Sequence, residues 1–65
     1  MLDNLLLNIK ILYNPETILC DKKDNSLCNY LANFFNIPII FEIEKEKRVI
    51  TVKGDKIFIG DERLW

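Results

Sequence analysis

An α+β fold is what this 65-residue chain predicts: a three-stranded antiparallel meander with two helices packed on one face. The first observation is an alternation of apolar residues in three runs, Ile39-Phe41-Ile43, Ile50-Val52 and Ile57-Ile59, the period of a half-buried strand. The second is Lys53-Gly54-Asp55-Lys56, a two-residue hairpin turn in which Gly54 is free to take positive φ. That turn sets Val52 opposite Ile57 and Ile50 opposite Ile59. A turn through Glu44 to Val49 would set Ile43 opposite Ile50 and Phe41 opposite Val52. All seven apolar residues then share one face, and a one-residue slip in either hairpin would destroy the agreement. The third observation is a helical stripe, Leu27, Leu31, Phe34 and Phe35, in the segment before the strands.

Taken in order, residues 5–13 fit two templates. Leu2, Leu5, Leu6, Ile9, Leu12 and Tyr13 follow helical spacing, whereas Leu7, Ile9, Ile11 and Tyr13 alternate as in a strand. A fourth strand from residues 7–13 is therefore an alternative to a helix. Pro15 pushes Asn14 out of the α region and ends the element either way. Asn14-Pro15-Glu16 has the cap, the first-position proline and the first-turn acid of a helix start, which predicts a short helix over 15–21. Asp21-Lys22-Lys23-Asp24 is a polar break. Asp24 then caps a helix over 25–35, Asn36 is a left-handed C-cap, and Pro38 prevents continuation. Strands are expected at 38–44, 48–53 and 56–60.

The chain reads as one small domain, 1–65, near the lower size limit for a self-sufficient core. Oligomerisation or docking on a partner is a common remedy at that size. Its apolar runs are too short to cross a bilayer, and Met1-Leu2-Asp3-Asn4 lacks a basic leader, so a cytoplasmic setting is expected. Isoleucine, lysine and asparagine supply 24 of the 65 residues, a bias typical of AT-rich coding that weakens functional readings of single Asn or Lys residues. The net charge of −1 and pI near 5.2 argue against binding driven by phosphate contacts.

Chemistry is sparse. No histidine is present, which removes the commonest general base and every Ser-His or Cys-His pair. Cys20 and Cys28 lack the further soft ligands of a zinc site and the spacing of a CxxC motif; a bridge between two packed segments is geometrically conceivable, and buried free thiols are the expectation because cytosolic disulfides are uncommon. Asp21 with Asp24, and Glu42 with Glu44, are carboxylate pairs on exposed positions where nothing would perturb them. No enzyme, metal, cofactor or small-molecule substrate is expected.

Three features remain as candidates. The second sheet face would hold Ile40, Glu42, Glu44, Val49, Thr51, Lys53, Lys56 and Phe58, with Thr51 opposite Phe58 and Glu42 opposite Thr51. Ile40, Val49 and Phe58 on that face, with Trp65 at the chain end, are the candidate partner-binding residues, although the tail is also expected to fold back over the core. Lys45, Lys47 and Arg48 are the candidate phosphate contacts, their charge largely cancelled by neighbouring acids. Asn25, Asn29, Asn33 and Asn36 line one side of the second helix, but no cation accompanies them, so they read as a polar outer face.

If residues 7–13 form a strand, the order strand, short helix, loop, helix, strand, strand resembles a KH domain over residues 7–53. In that family a GxxG loop between the helices lets backbone amides approach nucleotides. Here Asp21-Lys22-Lys23-Asp24 replaces it, and the family's final helix is missing. The sequence thus points to a non-catalytic interaction module that docks on a larger protein or on its own copy. By size and charge it is akin to phage and mobile-element inhibitors, anti-CRISPR proteins included. A small nucleic-acid-binding module with KH-like element order is the alternative.

Overall fold

The computed structural model describes residues 1–44 and 46–65. The segment that organises it is Pro15 to Cys20, and it is not a helix. Thr17–Cys20 is a strand, β1, following the helix α1 (Leu2–Tyr13) and preceding the helix α2 (Ser26–Phe35). The remaining strands are β2 (Ile39–Ile40), β3 (Val49–Lys53), β4 (Lys56–Ile59) and β5 (Glu62–Arg63). They form one mixed sheet in the order β2-β1-β3-β4-β5. β1 lies parallel to both β2 and β3, while β3-β4 and β4-β5 are antiparallel.

Three expectations about the order and pairing of the elements differ from what is observed. First, residues 7–13 belong to α1, so the strand alternative fails and with it the KH-like order of elements. Asn14 adopts a left-handed conformation, φ 45° and ψ 62°, and its N–H donates to the Lys10 carbonyl. It closes α1 rather than opening a helix at 15. Second, the stretch expected as that helix is β1. Seven residues are too few for a helix to form without strong packing, and Ile18-Leu19-Cys20 is a short apolar run that suits a central strand flanked by β2 and β3. Third, β2 pairs with β1, not with β3. Ile18 faces Ile39 on one side and Ile50 on the other, so the expected pairings of Ile43 with Ile50 and Phe41 with Val52 do not form. β2 ends at Ile40, leaving Phe41 and Ile43 exposed at 51% and 79%.

The hairpin at Gly54 has the expected register: Val52 faces Ile57, Ile50 faces Ile59, and Thr51 faces Phe58. Gly54 takes φ +60°, which the turn requires. The first face of the sheet, with Ile18, Cys20, Ile50, Val52 and Ile57, packs into one core with Leu6 and Ile9 of α1 and Cys28 and Leu31 of α2. Each fully buried Leu, Ile or Val contributes about 1.5–3 kcal/mol relative to exposure. That is several times the roughly 0–1 kcal/mol of an exposed ion pair, so the core sets stability and the surface pairs do not.

The junction between β1, α2 and the β3–β4 turn is held by polar and covalent links. Asn25, not Asp24, caps α2: its Oδ1 accepts from Leu27 N–H at 2.9 Å and Cys28 N–H at 3.3 Å. Its Nδ2 donates to the Gly54 carbonyl at 2.8 Å and to Asp21 Oδ1 at 3.0 Å. Asp21 Oδ2 accepts from Gly54 N–H at 2.8 Å. Cys20 and Cys28 form a disulfide beside this node, with Cα atoms 6.3 Å apart, within the range a bridge spans. The expectation of free thiols is overturned because the end of β1 and the first turn of α2 meet here. Both cysteines are buried, at 5% and 1% exposure. On the outer side, the Tyr30 hydroxyl donates to Asp3, linking α2 to α1, and that bond holds the phenol above its ordinary value.

Asn25→Ala should destabilise the protein by about 1–2 kcal/mol, since it removes the cap and leaves the buried Cys28 N–H without its acceptor. Asn25→Asp keeps the capping oxygen but loses both donated bonds. It should cost a comparable amount in urea unfolding, and a variant as stable as the native chain would show that capping alone matters. The Gly54 N–H and the Asn25 amide hold the Asp21 carboxyl below its ordinary value of 3.8. Its contribution is therefore present above pH 3.8 and is lost as pH falls below that value. The urea midpoint should drop in that acid range, and Asp21→Asn should flatten the drop.

Candidate interaction surface

The helices fill the first face of the sheet, so any interaction through the sheet must use the second. Alternation along β1 puts Thr17 and Leu19 there, and the registers place Ile40, Leu19, Thr51, Phe58 and Arg63 in one row across all five strands. Leu19, read from sequence as part of a helix, takes the place opposite Thr51 that was expected for Glu42. The row is accordingly more apolar than expected.

Because β2 and β3 are parallel and flank β1, the chain must cross the sheet between them. Phe41, Ile43 and Lys47 lie on the second face, beside Leu19 and Thr51. Ile43 lines two hollows there, and both have Leu19 and Thr51 in their lining. The larger has a volume of about 580 Å³ and is also bounded by Leu12 and Tyr13 from the end of α1 and by Val49. The smaller, about 260 Å³, is bounded by Phe41, Asp21 and Lys53.

The four residues expected to bind a partner are distributed over this surface. Ile40 lies on the edge strand β2 and Phe58 on β4, both half-buried. The insertion of β1 separates them by three strand spacings, about 14 Å. Val49 opens β3 at the larger hollow. Lys53 Nζ stands 5.7 Å from the centre of the Phe58 ring, within cation–π range. Trp65 is apart from the hollows. The tail does fold back, Leu64 and Trp65 both donating N–H to the Ile57 carbonyl, but Leu64 packs against the core while Trp65 stays 48% exposed.

Of the three candidate phosphate contacts, Lys45 lies outside the described residues. Lys47 and Arg48 line the larger hollow. Lys47 pairs with Glu44 at 3.2 Å. Arg48 is held more firmly: its Nε donates to the Asn14 carbonyl at 2.7 Å, its Nη1 lies 3.6 Å from Glu16 Oε1, and its backbone N–H donates to the same oxygen at 3.2 Å. Arg48 thus ties the end of α1 to the start of β3. Among the described residues no cluster of three or more metal-ligating side chains occurs.

Sequence reasoning missed Leu19, Leu12, Tyr13 and Ile43 as surface-formers. Leu19 and Ile43 lie outside the elements the sequence predicts for them, and Leu12 and Tyr13 fall in a segment whose spacing fits helix and strand alike, while in the structure they border the larger hollow. No known protein family, no curated protein and no solved structure matches this chain.

Proposed function

We propose that the chain is a non-catalytic interaction module that docks a protein partner, or a second copy of itself, through the second face of its sheet. The observation that carries this reading is the pair of apolar hollows sharing Leu19, Thr51 and Ile43 on a face that only the end of α1 reaches. Exposed Ile43 and Phe41 stand beside them, and contiguous apolar surface of this kind is typical of a contact site. The small core adds weight, since docking lends stability to chains of this length. A phage or mobile-element inhibitor remains the role that size and charge suggest. Nucleic-acid binding is the second reading, favoured by the adjacency of Lys47 and Arg48 and weakened by their pairing with Glu44 and Glu16.

No helix among the described residues is long and apolar enough to cross a membrane. The proposal keeps the cytoplasmic setting expected from the sequence.

The test is capture from source cells with the tagged chain, with nuclease treatment in parallel and mass measurement of what is retained. Docking predicts a stoichiometric protein, or a second copy, that survives nuclease and salt raised from roughly 50 to 200 mM. Ile43→Ser with Phe41→Ser should release it. Nucleic acid recovered at low salt and lost at high salt would reverse the order of the two readings.

A further inference from the structure

We propose that Cys20–Cys28 is a reversible redox latch on the start of α2: a dithiol opens it, and residues 21–29 loosen while the core keeps its fold. The position of the pair suits it to this. Cys20 ends β1 and Cys28 is the third residue of α2, with Cα atoms 6.3 Å apart, a separation that a bridge spans. The chain holds no third cysteine, so oxidation within the chain has a single product. In the cytoplasmic setting proposed above thiols are held reduced, and a bridge there is made and broken rather than permanent.

The open state has its contacts in place. Cys20 Sγ stands 3.0 Å from the Lys22 carbonyl oxygen, so the reduced thiol donates there and is not left without a partner. The Cys28 thiol sits in the core as a small apolar group. Asn25 still accepts from Leu27 and Cys28 N–H, and Asp21 from Gly54 N–H. Leu31, one turn further along α2, stays in the core with Ile18, Ile50 and Ile57. What the bridge adds is covalent closure of a loop whose middle, Asp21 to Asp24, is exposed. Opening it restores freedom to that loop and to the first turn of α2. Cys20 and Asp21 also border the smaller hollow, so the latch acts on one of its walls. Cys20 is the less buried partner and adjoins the exposed loop, so the incoming thiolate attacks its Sγ. The Sγ–Sγ bond breaks, Cys28 leaves as a thiolate and takes up a proton, and the reductant's second thiolate displaces Cys20 and closes its own disulfide. Two electrons and two protons pass from the dithiol to the protein.

The test compares the full chain, ¹⁵N-labelled, before and after dithiothreitol, with the redox state of each sample read by mass after thiol alkylation of a portion. Amide hydrogen exchange at Leu27, Cys28 and Asn29 should quicken about thirtyfold or more on reduction, while the cross-strand contacts Ile18–Ile50 and Val52–Ile57 persist. Glutathione disulfide should restore slow exchange. Cys20→Ala with Cys28→Ala should exchange as the reduced chain does and respond to neither reagent. Unchanged exchange at the three amides on reduction would overturn the latch. Loss of the cross-strand contacts on reduction would also overturn it, making the bridge a staple of the whole fold. Thiols that stay free under glutathione disulfide would overturn it as well.

Discussion

β1 is paired on both edges, to β2 through Ile18–Ile39 and to β3 through Ile18–Ile50, and the rest of the molecule follows from that double pairing. A strand of four residues has little stability alone. Here β3 pairs with all four of its residues and β2 with Ile18 and Leu19; Ile18 N–H donates to the Pro38 carbonyl and Thr17 N–H to the Arg48 carbonyl. Ile18 and Cys20 point into the core while Leu19 points to the other face. Because β1 sits between β2 and β3, the connection joining those two parallel strands crosses the sheet. That crossing turns an open sheet face into two hollows.

The end of β1 is fixed by a second constraint that acts at short range. Asn25 caps α2 with its oxygen and holds the β3–β4 turn with its amide, while Asp21 completes the link to Gly54. The Cys20–Cys28 bridge closes the same loop covalently. A loop this short yields about 2–3 kcal/mol from reduced freedom of the unfolded chain, similar to what a buried polar node supplies. The two links lock the helix start, the strand end and the hairpin tip as one body, which leaves the opposite end, around Tyr13, Arg48 and Ile43, to form the hollow's rim.

What was legible in the sequence depended on whether local and distant signals agreed. The Gly54 turn and the alternation around it specify the same register, so β3, β4 and the Val52–Ile57 pair could be read directly. α2 was legible for the same reason, its stripe and its Asn36 cap being consistent. β1 was not: Asn14-Pro15-Glu16 carries the signature of a helix start, and only pairing with two neighbours makes Thr17–Cys20 a strand. The error propagated, since Ile39, Phe41 and Ile43 alternate as well as any strand but lose their partner once β1 takes the place beside β3. Leu19, central to both hollows, was hidden by that misassignment, and the cysteine pairing depended on a proximity that spacing alone does not reveal.

The surface reading rests on this topology more than on any single residue. In an antiparallel meander Phe41 and Ile43 would be core residues and the second face would carry Glu42 beside Thr51. In the observed sheet those positions are exposed, and Leu19 lies beside Thr51. The most direct measurement is cross-strand nuclear Overhauser contacts on the ¹⁵N,¹³C-labelled chain. The account predicts contacts linking Ile18 to both Ile39 and Ile50 and Leu19 to Thr51. Contacts linking Ile43 to Ile50 and Phe41 to Val52, with helical contacts over 15–21, would contradict it.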